Sequence, residues 1–270
     1  MSLLGAAEIR QLAEKMDIHP TKKLGQNFVI DPNTIRKIVS KANLSGDETV
    51  VEIGPGLGSL TLGLFEKVDN VVAVEIDQRL ASALSETVEK HTKGKNLEVI
   101  NADALKLETL PECQALVANL PYNISVPVLL HFMERFPSIE KGLVLVQSEV
   151  ARRLVAGPGS EEYGIPSLKL AWWANAKLAG SVSRQIFWPV PNVDSELVYF
   201  ERVETEGDRA RVFELVDRSF STRRKTLAAS LKSSFSYPVV EALAKAGIEA
   251  NARPEQLGID EFRNLARLEK

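Results

Sequence analysis

Five short runs of mostly β-branched and small apolar residues constrain the fold of this chain more than any other feature. They span residues 49–53, 70–75, 97–100, 115–118 and 143–146, and each is followed by a stretch that can form a helix. Continuous apolar strands alternating with helices are typical of a parallel sheet that is covered on both faces. The pattern therefore predicts an α/β, Rossmann-like fold with a mostly parallel sheet.

Capping signals and turn residues divide the remainder of the chain. Asp31 with Pro32, Asp77 and Ser125 mark helix starts that predict helices to about residues 42, 90 and 135. Strands return between about residues 167 and 200, and after Gly207 the pattern predicts several short helices broken at prolines and a glycine. We therefore expect a catalytic domain over residues 1–205, with 1–30 as an N-terminal extension, and a small all-helical domain over 206–270.

The composition excludes several classes of protein. Of 270 residues only Cys113 is a cysteine, which excludes an intrachain disulfide and suits a reducing, cytoplasmic compartment. Charged residues within the first 25 positions exclude a signal-peptide core. No apolar run approaches the roughly 18 residues of a membrane helix. We expect a monomer that makes no use of a membrane.

The charge is unevenly distributed along the chain. The formal net charge of −3 argues against a nucleic-acid partner when taken alone. Residues 207–270, however, hold 12 basic and 9 acidic side chains, whereas residues 1–206 hold 21 and 27. The acid-free stretch 218–232 contains Arg218, Arg223, Arg224, Lys225 and Lys232. Such a run is either a solvated helix face or a phosphate-binding surface.

A glycine-rich turn follows the first of the five runs. Residues 51–58 read Val-Glu-Ile-Gly-Pro-Gly-Leu-Gly, and Gly54, Gly56 and Gly58 permit positive φ and close approach of a ligand to the backbone. Glu75 ends the next strand, where a carboxylate can accept hydrogen bonds from a ribose diol. Asp103 follows the third strand, at a position that can meet an adenine edge. Together these residues predict a site for S-adenosylmethionine.

A nicotinamide dinucleotide is the alternative cofactor. Its fingerprint requires glycine at position 59, where Ser59 stands, so the spacing favours S-adenosylmethionine. We expect no metal site, and none of the three histidines follows a predicted strand. His19 and His91 are predicted to lie on the surface, and His131 to pack on a helix.

The tetrapeptide Asn119-Leu120-Pro121-Tyr122 follows the fourth strand and can bind a planar amine. The Asn119 side-chain oxygen and the Leu120 carbonyl can each accept one N–H of an exocyclic amino group. Pro121 stiffens the turn and Tyr122 offers a ring for base stacking. Two acceptors keep the amine nitrogen pyramidal, so alignment and electrostatics suffice without a strong base. We therefore predict in-line methyl transfer to an aromatic amine.

The motifs occur in an order that closely resembles the small-subunit ribosomal RNA adenine N6,N6-dimethyltransferases of the KsgA/RsmA type, from about residue 20 to the C-terminus. They are the residues at 22–28, 52–58, 75–77, 119–125, 147–154, 163–164, 190–195 and 224–227. The resemblance implies transfer of four methyl groups from S-adenosylmethionine to two adjacent adenosines. In that family these lie in a loop near the 3′ end of small-subunit (16S-type) rRNA.

The resemblance also implies roles for individual residues. Cofactor contacts would come from Asn27, Val29, Gly54, Gly56, Glu75, Asp103 and Asn119. Phe187 would be a second stacking ring, closing on the flipped adenine opposite Tyr122, because an enzyme acting on N6 must take the base out of its stack. Ser148 and Asn192 stand where the family commonly has lysines.

The implied partner is small-subunit rRNA within a precursor or immature subunit. Phosphate contacts supply most of the affinity of such an enzyme for RNA. The candidates for these contacts are Lys22, Lys23, Arg223, Arg224 and Lys225.

The sequence is also compatible with three alternative functions. Large-subunit rRNA methyltransferases of the antibiotic-resistance type share this layout, although they tend to carry isoleucine where Leu120 stands. Methyltransferases acting on glutamine or on DNA amines typically have a second proline there. A ribosome-assembly RNA-binding factor with weak catalysis is the third alternative, and the full set of predicted cofactor residues argues against it.

Overall fold

The computed structural model describes residues 2–18, 27–221 and 225–268. The strands found there are β1 (Phe28–Val29), β2 (Thr49–Ile53), β3 (Asn70–Glu75), β4 (Asn96–Asn101), β5 (Ala115–Asn119), β6 (Lys141–Gln147), β7 (Ala174–Val182), β8 (Phe187–Trp188) and β9 (Ser195–Arg202). The α-helices are α1 (Ala6–Lys15), α2 (Pro32–Lys41), α3 (Ser59–Leu64), α4 (Gln78–His91), α5 (Ser125–Arg135), α6 (Ser148–Val155), α7 (Ile165–Trp173), α8 (Arg209–Phe220), α9 (Leu227–Ser230), α10 (Val239–Lys245) and α11 (Ile259–Ala266). Within the described ranges no helix has the length and apolarity needed to cross a bilayer.

Seven of these strands form one sheet, in the order β4-β3-β2-β5-β6-β9-β7. The five strands β4, β3, β2, β5 and β6 are parallel, and β9 pairs antiparallel with β6. The predicted mostly parallel α/β fold is confirmed. The order of the strands reverses between β2 and β5, and ligands of open α/β sheets bind at such a point, outside the carboxyl ends of the strands.

Local sequence signals explain where two of the helices begin. Asp31 caps α2 by accepting a hydrogen bond from the amide of Thr34, and Pro32 occupies the first turn. Asp77 caps α4 in the same way through the amide of Arg79. Both predicted helices are therefore confirmed.

The chain forms two compact units. Unit 1 comprises Met1–Ala151 and Lys177–Arg202, and unit 2 comprises Arg152–Ala176 and Val203–Lys270. The sequence predicted a single boundary at residue 205, but residues 152–176 pack with the helical unit because Leu168 and Trp172 of α7 lie in its apolar core.

The predicted return to strands is confirmed by β7, β8 and β9, but it begins at Ala174 and not at about residue 167, because α7 extends to Trp173. Alternation of Leu168, Leu170 and Trp172 with other residues imitates the period of a strand. The segment nevertheless forms a helix, and the hydroxyl of Ser167 caps the start of this helix by accepting a hydrogen bond from the amide of Gly164. After residue 207 the predicted short helices are confirmed as α8 to α11.

A helix that the sequence did not predict lies in the N-terminal extension. Ile9 and Ala13 of α1 are spaced four residues apart and are buried in the core of unit 1 together with Leu4 and Ile18. The segment 2–18 is therefore anchored to the core of this unit through these four side chains.

Candidate active site

A pocket that is open to solvent lies at the carboxyl ends of the parallel strands of unit 1. Every predicted cofactor residue lines it: Asn27, Val29, Gly54, Gly56, Glu75, Asp103 and Asn119. Pro121 of the predicted catalytic turn lines it as well. These residues come from five separate segments. Four of the segments follow or end β2, β3, β4 and β5, and they meet because the carboxyl ends of parallel strands share one edge of the sheet. The fifth contains β1, which belongs to a separate two-stranded sheet with β8.

The glycine turn adopts the backbone conformation that its composition predicts. Gly54, Gly56 and Gly58 have φ values of 67°, 57° and 92°, in the left-handed region that favours glycine. A Cβ on Gly56 would lie 2.7 Å from the ring of Phe28, so no larger side chain fits there without displacing that ring.

Glu75 joins the end of β3 to the glycine turn. Its Oε2 accepts a hydrogen bond from the amide of Gly56 at 3.1 Å, and its Oε1 accepts one from the amide of Asp77 at 3.0 Å. Burial raises the pKa of this carboxyl, although the two backbone donors oppose the shift. Each oxygen retains a second lone pair, so the carboxylate can still accept hydrogen bonds from a ligand.

Glu52 is a pocket residue that was not among the predicted site residues. Its carboxyl is buried at the end of β2 and accepts a hydrogen bond from the Thr61 hydroxyl at 2.6 Å. Burial, together with the nearby charge of Glu75, raises the pKa of Glu52 to about 8 despite the Thr61 bond. One signal in the sequence marks it, since it is an ionisable residue inside an otherwise apolar strand that is covered on both faces.

Asn119 ends β5 and has one satisfied and one unsatisfied polar atom. Its Nδ2 donates to the backbone carbonyl of Asn27 at 2.9 Å. A carbonyl can only accept, so this bond fixes which way the amide faces. The other atom, Oδ1, is buried and has no hydrogen-bond partner among the described residues. Buried acceptors are nearly always paired, so this oxygen marks a place for a donor from a ligand.

The rest of the predicted catalytic turn is held firmly. The amide of Leu120 donates to the carbonyl of Leu145, and the Leu120 side chain is buried. The hydroxyl of Tyr122 is hydrogen-bonded to the hydroxyl of Ser195 at 2.7 Å, and burial raises the pKa of Tyr122. Ser195 begins β9 and is fully buried. The sequence alone gave it no role.

Phe187 lies in β8, opposite Val29 of β1, which lines the pocket. Its ring is only 1% exposed and belongs to the apolar core of unit 1. A base can therefore reach this ring only if neighbouring side chains move, and its stacking role stays a prediction.

Asp103 follows β4 and borders the pocket. Its Oδ1 accepts a hydrogen bond from the amide of Leu105 at 3.0 Å, and its Oδ2 lies 3.8 Å from the Lys106 ammonium. Both contacts hold the carboxylate at the end of its strand, so the local turn fixes where a ligand would meet it.

Four of the five predicted RNA-binding residues, Lys22, Lys23, Arg223 and Arg224, lie outside the described residues. The fifth, Lys225, is exposed. Arg218 of the same basic stretch forms an ion pair with Glu214 and donates a hydrogen bond to the Ser234 hydroxyl, so its guanidinium already has partners within unit 2.

The histidine predictions have mixed outcomes. His131 packs on α5 as predicted, with its Nε2 bonded to the carbonyl of Leu107. The prediction of a solvated His91 is wrong, because its ring is held between the Ser2 hydroxyl and the Glu8 carboxylate. His19 lies outside the described residues. In the described part of the chain no group of three or more His, Cys, Asp or Glu residues could hold a metal ion.

Comparisons with known proteins extend over nearly the whole chain. A family model described as "Ribosomal RNA adenine dimethylase" matches residues 19–269. A protein of Kineococcus radiotolerans named ribosomal RNA small subunit methyltransferase A is 55% identical over 273 residues, which cover 98% of this chain and 91% of that protein. The protein of the same name from Leifsonia xyli subsp. xyli is 56% identical over 276 residues, which cover 98% of each chain.

Two solved structures resemble the fold. A dimethyladenosine transferase from Plasmodium falciparum matches with a TM-score of 0.77 and 25% identity over 87% of this chain and 94% of that chain. The 23S rRNA methyltransferase ErmE matches with a TM-score of 0.68 and 31% identity over 88% of this chain and 98% of that chain. The relatives that carry a small-subunit name are thus much more similar in sequence than the 23S enzyme is.

Proposed function

This chain belongs to the ribosomal RNA adenine dimethylase family, and from that premise we propose how its pocket performs the reaction. It is an S-adenosylmethionine-dependent rRNA methyltransferase that acts on the small subunit. Its substrates in this proposal are the N6 amines of two adjacent adenosines in a loop near the 3′ end of small-subunit rRNA. The higher identity to small-subunit enzymes, 55–56% against 31% for the 23S enzyme, favours this target.

The observation that carries the proposal is the buried Oδ1 of Asn119, which has no hydrogen-bond partner among the described residues. Leaving such an acceptor unpaired costs about 1–3 kcal/mol, and an incoming N–H group removes that cost. The bond from Nδ2 to the carbonyl of Asn27 holds the amide in place for this acceptor role. The carbonyl of Leu120 would take the second N–H of the adenine amine.

In the first methyl transfer to each adenosine both N–H groups are held, so the lone pair of the amine stays off the ring and is available as a nucleophile. S-adenosylmethionine, held by Glu75, Asp103 and the glycine turn, would supply the methyl group from its sulfonium, whose sulfur would leave as the thioether. The methylated amine would then release a proton to water. Pro121 and the tethered Tyr122 keep the turn rigid, and the Tyr122 ring stacks on the base. Catalysis by this turn is therefore mainly positioning.

The residues of the pocket fit S-adenosylmethionine. The Ser59 hydroxyl is a second buried polar group without a partner among the described residues, and Ser59 lines the same pocket. Glu75 would bind the ribose hydroxyls, Asp103 the adenine edge, and the glycine turn would let the ligand approach the backbone.

Binding of the rRNA is assigned to basic residues on both units. We place Lys22 and Lys23 of unit 1, and Arg223, Arg224 and Lys225 of unit 2, against backbone phosphates. The substrate is an immature small subunit in the cytoplasm, and the enzyme acts on it as a monomer.

Methyl transfer to small ribosomal subunits that lack these modifications tests the proposal. We expect wild-type protein to incorporate labelled methyl groups, with the modified positions mapping to two adjacent adenosines. Asn119→Ala removes the acceptor and should lower the rate about 100-fold or more, by analogy with loss of one preorganised group in other active sites. The matched control is Asn33→Ala, at an exposed position of α2, which should retain wild-type activity.

Three results would contradict the proposal. Incorporation into large subunits alone would identify a 23S-type enzyme, and incorporation into neither would favour an assembly factor. Near-normal turnover by a folded Asn119→Ala protein would refute the role of this side chain.

A further inference from the structure

Two exposed valines stand in one short loop of unit 1. Among the described residues, the large hydrophobic side chains that are exposed are Ile76, Leu178, Val190, Val193 and Val240. Val190 is 58% and Val193 is 43% exposed, although they are only three residues apart. Two exposed apolar side chains in one short loop offer a small apolar surface, whose position in the fold decides what it can contact. We name residues 189–194 the proline-valine loop.

Both ends of the proline-valine loop are attached to the walls of the candidate active site. The loop follows β8, which pairs with β1, and both residues of β1 line the pocket. It leads into β9 at Ser195, whose hydroxyl is hydrogen-bonded to the hydroxyl of Tyr122. The loop is therefore continuous at one end with the pocket wall and at the other with the proposed stacking residue.

The proline-valine loop is braced so that its valines cannot easily fold inward. Pro189 and Pro191 fix two of its φ angles. The Arg184 guanidinium donates to the carbonyl of Asn192 at 2.9 Å, and the Arg184 amide donates to the Asp194 carboxylate at 2.9 Å. The carbonyl of Asp194 accepts a hydrogen bond from the amide of Ser148 at 3.0 Å. Rigid exposure of this kind lowers the entropic cost of binding a partner.

We propose that Val190 and Val193 contact the nucleobases next to the target adenosine and hold the rRNA loop open around it, an inference that rests on the proposed function. The chemistry of the loop favours bases over phosphates, because its one ionisable side chain is the acidic Asp194. Flipping a base leaves its former neighbours unstacked, and apolar side chains that fill such a gap are known from other nucleic-acid-bending proteins. The positively charged residues assigned to phosphates lie elsewhere in the sequence.

The test compares two double variants with one matched control. Val190→Ser with Val193→Ser removes the apolar surface, and Val190→Leu with Val193→Leu keeps it. Val240→Ser changes a valine that is similarly exposed, at 52%, but lies in α10 of unit 2. For each protein we would measure the KM for undermethylated small subunits, kcat, the Kd for S-adenosylmethionine by calorimetry, and the melting temperature.

We expect the serine pair to raise the KM about tenfold, since removing two apolar side chains from an interface is worth at least that factor. The Kd for S-adenosylmethionine and the melting temperature should be unchanged. The leucine pair and Val240→Ser should stay near wild type. An unchanged KM in the serine pair, with wild-type protein active, overturns this inference alone. Inactive wild-type protein overturns the proposed function instead.

A binding measurement with a protein-free RNA hairpin containing the target loop identifies the partner of the valines. Weaker binding of the hairpin by the serine pair supports contact with bases. A defect confined to intact subunits would indicate a ribosomal protein as the partner and would overturn the inference.

Discussion

The hydrogen bond between Tyr122 and Ser195 joins the catalytic turn to the start of β9. A ring that stacks on a base must keep its orientation, and this bond is the contact that fixes the hydroxyl end of the ring. Ser195 itself is fully buried, so in our proposal it acts on the substrate only through Tyr122.

We predict that Ser195→Ala lowers kcat about two- to tenfold, because one such hydrogen bond is worth about 0.5–1.5 kcal/mol. The Kd for S-adenosylmethionine should not change. The deciding measurement is a double-mutant cycle in single-turnover methyl transfer, since Ser195→Ala should have no further effect on the rate when Tyr122 is already Phe. Equal effects of Ser195→Ala in both backgrounds would show that the serine stabilises the fold and does not position the ring.

Glu52 makes the stability of this protein dependent on pH. Its pKa is raised from 4.5 to about 8, chiefly by burial. The folded state therefore holds a proton that the unfolded chain releases, and the associated stability is present below pH 4.5 and lost as pH rises toward 8. Between pH 5 and pH 8 the loss is about 3–4 kcal/mol for a shift of this size.

Glu52→Gln should remove this dependence, because the amide is neutral at every pH and its oxygen can still accept from Thr61. We predict similar free energies of unfolding for both proteins at pH 5, and a more stable variant at pH 8. Urea denaturation at the two pH values measures the difference. A difference that does not grow with pH would mean that the Glu52 carboxyl is ionised in the folded protein.

At the scale of elements, the glycine turn depends on the packing of β1 against it. Gly56 has a positive φ, and a Cβ added there would lie 2.7 Å from the ring of Phe28, which is closer than van der Waals contact. Gly94 has a similar φ of 69°, but a Cβ there would meet nothing within 4 Å. Substituting alanine at each position therefore distinguishes two contributions to the free energy of unfolding. Gly94 reports backbone strain alone, and Gly56 reports strain together with displacement of β1.

We predict that Gly94→Ala lowers the free energy of unfolding by about 1 kcal/mol from strain alone and leaves the Kd for S-adenosylmethionine unchanged. Gly56→Ala should cost more, about 2–4 kcal/mol, because overpacking adds to the strain. It should also weaken S-adenosylmethionine binding at least tenfold, since β1 and the amide of Gly56 both border the pocket. Calorimetry and thermal unfolding measure these quantities, and equal behaviour of the two variants would refute the role of β1.

The elements that could be predicted from sequence are those with a strong local signal. The runs at 49–53 and 70–75 match β2 and β3 because apolar β-branched residues in parallel strands need no other information. In α7 the apolar residues alternate as in a strand, and this alternation outweighs in the sequence pattern the local cap at Ser167 and the packing within unit 2 that stabilise the helix. Helix α1 could not be predicted because its apolar face is short and depends on the core that receives it.

The residues of the candidate site also divide into those with a local sequence signal and those placed only by tertiary packing. Glu75, Asp103 and Asn119 could be predicted because each stands at the end of a strand in a parallel sheet, which brings them to one edge. Ser195 could not, because its approach to Tyr122 depends on the antiparallel insertion of β9 beside β6. No local sequence pattern predicts the pairing of β9 with β6.

At the scale of the whole molecule, the net charge of −3 averages two unlike stretches of sequence. Residues 1–206 carry the acidic excess, which includes the pocket carboxylates Glu52, Glu75 and Asp103. Residues 207–270 are net basic. Net charge therefore describes the solubility of such a protein better than its choice of partner.

In our proposal the basic triplet Arg223-Arg224-Lys225 binds backbone phosphates of the rRNA. Replacing all three by alanine should weaken binding to small subunits and lower the slope of log K against log salt by about 2, because each neutralised phosphate contributes about 0.7–0.9 to that slope. The Kd for S-adenosylmethionine should stay at its wild-type value. A control with the same change in net charge replaces three exposed lysines of unit 1, namely Lys41, Lys67 and Lys93. If both triple variants lower the slope equally, the effect comes from total charge, and the triplet is no more than a solvated surface.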